Sequence, residues 1–123
     1  MALENVSPVN TKSWKNLTSH FKKIKNEKIN DFLEDKERLN KLTISWENFY
    51  FDFSKNRLNQ DTINALINLA NECDLQHAIE AQFSGKKINV TEDRSVLHTA
   101  CRCSTNDKII INNIDIVPDI IKN

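Results

Sequence analysis

The sequence contains almost no glycine. Gly85 is the single glycine among 123 residues, whereas an average usage of roughly 7% would give about nine. Glycine-rich phosphate loops, both the G-x-G-x-x-G turn and the P-loop, need several positions without a side chain. The sequence therefore excludes an autonomous nucleotide-binding site of either kind.

The sequence also lacks a net charge and any long apolar run. Lys plus Arg number 17 and Asp plus Glu number 17, whereas surfaces that bind nucleic acid or anionic membranes are strongly basic. No run approaches the ~18 apolar residues that cross a bilayer, and the start has neither the basic flank nor the apolar core of a signal peptide. We therefore expect a cytoplasmic protein with no nucleic-acid partner and no membrane partner.

Cysteines are few and odd in number. Cys73, Cys101 and Cys103 in a chain without a secretion signal are expected to be reduced thiols rather than a disulfide framework. Leu, Ile, Val and Phe make up about 28% of the residues, above the roughly 20% below which disorder is the better prediction. No repeat or linker divides the chain, so residues 1–123 are expected to form a single segment.

Apolar residues spaced by three and four predict helices in the first two thirds of the chain. Thr11 can cap the first helix, and one or two shorter helices are expected up to about residue 42. Asn59 can cap a further helix, and Asp74 the next one, which would end at a left-handed Gly85. The apolar stripe of the first helix consists of Trp14, Leu17, Phe21 and Ile24.

The period changes to two between Trp46 and Phe53, which predicts one short strand. Phe49, Phe51 and Phe53 would share one side of this strand. A phenylalanine stripe of this kind is more typical of a core than of a ligand platform, although it could also form a docking face.

A helix is predicted to follow Gly85. Asn89 or Thr91 can cap it, with Glu92 and Asp93 in its first turn, and it would run to about Cys103.

The chain closes on a predicted hairpin between Lys108 and Val117, joined at the pair Asn112-Asn113. Pro118 would begin another helix, which is too short to be stable in water by itself, so we expect more polypeptide to follow Asn123. The predicted fold class is mainly α with one short β-strand and a C-terminal β-hairpin.

Histidines and cysteines give one candidate metal site. Zinc takes four nitrogen or sulfur ligands, but two thiols in a Cys-x-Cys pair on one helix point about 200° apart. Buried structural thiols are therefore favoured over zinc ligands, and no neighbouring residue marks a thiol as an activated nucleophile. The candidate residues are Cys73, His77, His98, Cys101 and Cys103.

Two polar groups remain ambiguous. On a helix, Arg94, His98 and Arg102 would form one ridge that could hold a phosphate or pair with acidic residues of a neighbouring element. The segment Ser54 to Arg57 after the predicted strand could form a site or an ordinary turn. For the ridge, pairing with acidic residues is favoured over phosphate binding because no glycine-rich turn accompanies it.

Two stretches, Asp52 to Leu58 and Phe83 to Arg102, resemble the amino-terminal region of the glucose-6-phosphate isomerase family. The run from Lys87 to Arg102, with its Asn, Thr-Glu, Arg, Leu-His and Arg pattern, is the most specific part. The opening Ser13 to Leu17 and the closing hairpin fall in the expected order. Small departures from the family pattern occur at Asp93, Ser95 and Cys101.

The resemblance implies an amino-terminal part of an α/β sugar-isomerase (SIS-type) protein. Family enzymes interconvert glucose 6-phosphate and fructose 6-phosphate in glycolysis and gluconeogenesis without a cofactor, using a histidine, a lysine, a glutamate and an arginine, and are commonly homodimers. As the resemblance implies, none of those family residues falls on this chain, and His98 is not the family's catalytic histidine. The resemblance therefore implies no catalytic, cofactor-binding or metal-binding residue here, and only a packing role for Ser54 to Arg57 and Asn89 to Arg102.

Two functional hypotheses follow from the sequence. The first is an amino-terminal piece of such an isomerase, inactive by itself, for which a sugar phosphate is a substrate only in the full-length enzyme. The alternative is a helical protein-binding module that docks through the Phe49, Phe51 and Phe53 side or through the stretch from Arg94 to Arg102.

Overall fold

A computed structural model describes residues 6–104 and 106–122. The chain divides into two compact units, the first being Ser7–Glu72 and the second beginning at Cys73. The first unit contains α1 (Lys12–Ile24), α2 (Ile29–Leu33), α3 (Arg38–Lys41), β1 (Thr43–Trp46), β2 (Phe49–Asp52) and α4 (Gln60–Glu72), with a 3-10 turn at Pro8–Asn10. The second contains α5 (Leu75–Phe83), a 3-10 turn at Ala100–Arg102, β3 (Ile110–Ile111), β4 (Ile114–Asp115) and α6 (Val117–Ile121).

The start of α1 confirms the predicted cap. The hydroxyl oxygen of Thr11 accepts a hydrogen bond from the Trp14 N–H at 3.0 Å. The Glu72 carboxylate, at the end of α4, accepts two more, from the N–H groups of Lys12 at 2.9 Å and Ser13 at 2.8 Å. Because these are donors that a helix cannot satisfy internally, Glu72 joins the end of α4 to the beginning of α1.

The start of α4 confirms Asn59 as its cap. The side-chain oxygen of Asn59 accepts a hydrogen bond from the Thr62 N–H at 3.0 Å. The Thr62 hydroxyl in turn lies 2.7 Å from Nε2 of His20 on α1. His20 therefore has a packing role, since its ring links the two long helices of the first unit.

The prediction of one continuous strand from Trp46 to Phe53 is only partly right, because β2 covers Phe49–Asp52 while Trp46 ends β1 and Phe53 lies beyond β2. β1 pairs with β2 in antiparallel register, from Thr43 opposite Asp52 to Trp46 opposite Phe49. Glu47 makes the turn with φ 50°, a conformation that a glutamate rarely adopts, which is why the turn gave no sequence signal. The expectation that the phenylalanines form a core is wrong, because Phe49 and Phe51 are 55% and 46% exposed.

The second unit has a small core of Ala100, Ile109 and Val117, all buried. The predicted hairpin over it is confirmed: Asn112 and Asn113 both have positive φ, 52° and 64°, as its two-residue turn requires. The helix beginning near Pro118 is also confirmed as α6.

Two expectations for the second unit are wrong. The segment between Asn89 and Cys103 is not a helix, and only the single turn at Ala100–Arg102 is helical. Asp74 precedes α5 as predicted, but its side chain does not cap the helix backbone. Its carboxylate instead shares a hydrogen bond of 3.1 Å with Nδ1 of His77. Among the described residues, no helix is long and apolar enough to cross a membrane.

Candidate functional site

Gly85 sets the direction of the chain after α5. Its φ of 70° is left-handed, and the following N–H, of Lys86, donates to the Ala81 carbonyl at 3.0 Å. A Cβ atom on Gly85 would lie 2.8 Å from Cγ2 of Ile109. Glycine is therefore required here for two separate reasons, its backbone angle and the close approach of the hairpin segment.

A tight turn replaces the predicted helix after Gly85. Asn89 and Arg94 exchange backbone hydrogen bonds of 3.1 and 3.3 Å, and Asp93 has a positive φ of 48°. The Asn89 side chain accepts from the Glu92 N–H at 3.2 Å. The Ser95 hydroxyl donates to the Gly85 carbonyl at 2.5 Å, which holds the returning chain beside the end of α5.

Two cavities flank this segment, and His98 lines both. The larger has a volume of about 580 Å³ and the smaller about 410 Å³. The larger is lined by Gln82, Phe83, His98, Thr99, Arg102, Cys103, Asp107, Lys108 and Ile109. The smaller is lined by Asn89, Arg94, Ser95, Val96, Leu97, His98, Cys101 and Ile120.

The polar ridge predicted from helical spacing does not form. Arg94 lines the smaller cavity and Arg102 the larger, with only His98 common to the two. Arg94 forms an ion pair with Glu92 of the same turn, so its partner is acidic but does not belong to a neighbouring element as predicted. Both side chains of the pair are more than half exposed, so the pair adds little stability.

The lining of the larger cavity includes two cationic residues and one acidic residue. Arg102 and Lys108 form no ion pair with any residue that the structure describes. The carboxylate in the lining, that of Asp107, accepts a hydrogen bond from the Ser104 N–H at 2.7 Å, and the buried hydroxyl of Thr99 has no hydrogen-bond partner among the described residues. The cavity could thus accept an anionic group.

The described residues of this cavity do not assemble an acid and base couple. His98 makes no hydrogen bond to a carboxylate in the described part of the chain. Sequence reasoning missed Phe83 and Lys108 as neighbours of His98, because only the tertiary fold brings these three separated positions to one cavity.

The thiols and histidines do not converge. The Cys101 thiol lies 3.9 Å from the Leu97 carbonyl and the Cys103 thiol 3.6 Å from that of Thr99, so the two sulfurs contact different backbone groups. All three cysteines are free thiols as predicted, but the prediction that they are buried is wrong, because Cys101 is exposed and Cys73 and Cys103 are only partly buried. Within residues 6–104 and 106–122, no group of three or more His, Cys, Asp or Glu side chains is placed to hold a metal ion.

The segment from Ser54 to Arg57 forms a turn that is held by hydrogen bonds from Arg38. The buried Arg38 donates from Nε to the Ser54 carbonyl at 2.6 Å and from Nη2 to the Asn56 carbonyl at 2.7 Å, and its guanidinium lies 5.0 Å from the Phe32 ring centroid. Arg57 donates to the Lys25 carbonyl. Two backbone carbonyls of this segment and the Arg57 side chain are thereby engaged in structure, which favours the turn interpretation over a site.

Three carboxyl groups of the first unit have a lowered pKa. Hydrogen bonding to Lys41, and next to the Glu37 N–H, lowers the pKa of Asp35. The Ser54 side chain and N–H lower that of Asp52. Hydrogen bonds from Ser13, with a smaller contribution from the Lys12 N–H, lower the pKa of Glu72.

The sequence of this region matches a known family. The sequence model described as "Phosphoglucose isomerase" aligns with residues 52–123, a stretch that contains the Arg38-clamped turn, both cavities and the whole of the second unit's core. The chain belongs to the phosphoglucose isomerase family. The resemblance found in the run from Lys87 to Arg102 is thereby confirmed.

Individual relatives agree. The chain is 47% identical over 119 residues to the "Glucose-6-phosphate isomerase" of Christiangramia forsetii, covering 96% of this chain and 22% of the relative. It is 47% identical over 120 residues to the protein of that name from Buchnera aphidicola subsp. Schizaphis graminum, with the same coverage. It is 46% identical over 122 residues to that of Wigglesworthia glossinidia brevipalpis, covering 98% of this chain and 22% of the relative.

The chain thus spans about 22% of the length of the curated relatives it matches, and the match corresponds to an amino-terminal segment of these enzymes. More than three quarters of each of these relatives lies outside the matched segment.

Proposed function

We propose that this chain is the amino-terminal part of an enzyme that interconverts glucose 6-phosphate and fructose 6-phosphate, and that it supplies structural rather than catalytic residues. The single observation that carries the proposal is the 47% identity to glucose-6-phosphate isomerases over 96% of the chain. The whole enzyme would take a sugar phosphate as its substrate, need no cofactor, act in the cytoplasm as a homodimer and complete an SIS-type α/β fold.

The geometry of the described residues supports a structural role. Moving a proton between two carbons of a sugar requires a positioned base whose pKa lies near the working pH. The carboxylates Asp35, Asp52 and Glu72 have a pKa shifted the other way, each by hydrogen bonds from nearby groups, and those to Glu72 join α4 to α1. Such groups stabilise a fold and are poor proton acceptors.

Neither the structure nor the relatives favour the alternative of a free-standing helical protein-binding module. The helical ridge on which one version of it depended does not form, and its residues are divided between two cavities. The other version depended on the side formed by Phe49, Phe51 and Phe53, and we propose a different role for the exposed rings of that side.

A coupled assay that converts fructose 6-phosphate product into a change in absorbance tests the proposal. The 123-residue chain should give no turnover. A chimera in which residues 1–123 replace the matched segment of the Christiangramia forsetii isomerase should be active. The parent isomerase is the control. Turnover by the 123-residue chain alone would contradict the proposal, and so would an inactive but folded chimera.

His98 provides a sharper test within the active chimera. If this side chain belongs to the structural part, His98→Gln should keep kcat within a fewfold of the unsubstituted chimera. Arg102→Gln, in the same cavity, is the matched variant. A loss of kcat by three orders of magnitude in either variant, with folding intact, would place catalytic machinery in this chain and refute the proposed division of roles.

A further inference from the structure

The β1–β2 hairpin separates its apolar and polar residues onto two faces. Side chains of directly opposed residues in an antiparallel pair share a face, and so do residues two apart along a strand. The pairs Ile44 with Phe51 and Trp46 with Phe49 therefore lie together, and we call these four residues the aromatic face. The opposite face carries Thr43, Ser45, Tyr50 and Asp52.

The rings of the aromatic face are already ordered against one another. The centroids of Trp46 and Phe49 are 5.7 Å apart with planes inclined by 15°, and those of Phe49 and Phe51 are 6.1 Å apart at 12°. Offset stacking of this kind fixes the side chains before anything covers them. The face is thus a continuous, preorganised apolar surface.

The aromatic face is nevertheless open to solvent. Ile44 is 56% exposed and Trp46 62%, similar to the two phenylalanines. An antiparallel sheet commonly packs one face on a core, and an isolated two-stranded hairpin is marginal in water. A contiguous exposed apolar patch of several hundred Å² is often an interaction surface.

We propose that the aromatic face is the docking surface for the later part of the same isomerase polypeptide, the part that follows the matched segment in the relatives. The inference rests on the proposed function. It is supported by length, because the chain spans 22% of these relatives and most of each relative is available to cover the face.

The area of the face favours a covalently connected occupant over a second copy of the chain. Four half-exposed side chains, at ~150–250 Å² for a whole aromatic residue, offer roughly 400–500 Å². A stable interface between separate proteins buries about 800 Å² on each partner. A segment of the same polypeptide needs less area because it does not lose the translational and rotational freedom that association costs.

Hydroxyl-radical footprinting with mass spectrometry tests this inference. Labelling of the aromatic face is compared between the 123-residue chain and the full-length chimera described above. Trp46 and Phe49 should be labelled severalfold less in the chimera. Tyr50, on the opposite face and 61% exposed, is the internal control and should lose less labelling than Phe49.

The outcomes separate the possible occupants. Equal labelling of Phe49 in both polypeptides, or protection of Tyr50 equal to that of Phe49, would overturn the inference. Protection of Phe49 that grows with concentration in the 123-residue chain would identify a second copy as the occupant and also overturn it. Footprinting does not depend on turnover, so a protected face in an inactive chimera would uphold the docking and refute the proposed activity.

Paired substitutions add a second measurement. Phe49→Ser in the chimera should lower the thermal midpoint and raise Trp46 labelling, whereas Tyr50→Ser should do so less. Equal effects of the two variants would contradict a face-specific contact. If Phe49→Ser prevents folding, the footprint of the unsubstituted chimera still decides.

Discussion

Replacing Gly85 by alanine tests how the second unit is held together. The residue has a φ of 70°, and an added Cβ would lie 2.8 Å from Cγ2 of Ile109 and 3.3 Å from two side-chain carbons of Ile111. Ile109 is 6% exposed and belongs to the core with Ala100 and Val117. The substitution therefore strains the backbone and crowds the core together.

The magnitude follows from three contributions to the free energy of unfolding. A left-handed conformation costs a non-glycine residue roughly 1–2 kcal/mol. Crowding a packed core costs about 1–3 kcal/mol. Reduced freedom of the unfolded chain offsets about 0.4–1 kcal/mol of this. We therefore expect Gly85→Ala to destabilise the second unit by about 3 kcal/mol, which is on the order of 100-fold in the opening equilibrium.

The assay must report on the second unit alone. Both tryptophans, Trp14 and Trp46, lie in the first unit, so their fluorescence is unsuitable. The Ile116 N–H donates to the Ile109 carbonyl at 3.0 Å, next to the site of substitution. Amide exchange at Ile116, followed by NMR under native conditions, should accelerate by on the order of 100-fold.

Two further variants divide the effect into its causes. Gly85→Asn keeps the Cβ but tolerates positive φ better than alanine, so it should show mainly the crowding. Ile109→Leu moves the branch and removes Cγ2, so the double variant Gly85→Ala with Ile109→Leu should recover part of the lost protection. Unchanged exchange at Ile116 in Gly85→Ala would refute the reasoning about both φ and contact.

Three predictions concern the first unit, and tryptophan fluorescence in a urea titration can follow each. Thr11→Ala removes the cap of α1 and should cost about 1 kcal/mol, whereas Thr11→Ser should cost little; equal losses would show that the hydroxyl is not the cause. Arg38→Met leaves two carbonyls of the 54–56 turn without their donor and should cost about 3 kcal/mol, with Arg38→Lys restoring less than half because an ammonium lacks the guanidinium fork. Glu72 has a lowered folded-state pKa, so its contribution is full above about pH 4.3 and is lost as the pH falls further, through the folded-state pKa; Glu72→Gln should flatten this acid dependence, and an unaltered pH profile would contradict the assignment.

Elements that depend on one local signal were predictable from the sequence. Thr11 and Asn59 each cap a helix through a side-chain oxygen, and Gly85 and the pair at 112–113 adopt the positive φ that their residue types allow. In each case the signal and the structure lie within four residues of one another, so no tertiary information is needed.

The helix predicted after Asn89 shows where local signals become ambiguous. An asparagine oxygen that accepts the N–H three residues on is the first contact of a capped helix, and equally of an isolated turn. Here Asn89 makes that contact with Glu92, but Arg94 then pairs back to Asn89. The buried position of Ala100 against Val117 is a tertiary constraint, and the sequence near residue 90 carries no trace of it.

Only one strand of the β1–β2 hairpin was predictable from the sequence. The alternation after Trp46 identified β2, but the partner strand depends on a left-handed Glu47, which no residue preference indicates. The candidate cavities were less predictable still, because Phe83, His98 and Lys108 come together only through the turn at Gly85 and the packing of the closing hairpin.

The hydrogen bonds of Glu72 and Arg38 are those of structural residues rather than of catalytic ones. A residue that moves protons needs a free side-chain atom that can reach the substrate and a pKa near the working pH. A residue that joins elements already uses its donors or acceptors in hydrogen bonds within the fold. Glu72 accepts from two backbone N–H groups of α1, and Arg38 holds a turn through two backbone carbonyls. Both are in the second state. The apolar chemistry shows the opposite balance, since the aromatic face is ordered but uncovered. Occupied polar groups at Glu72 and Arg38 beside an uncovered apolar face support the proposal that this segment contributes to the enzyme by packing against a later part of the polypeptide.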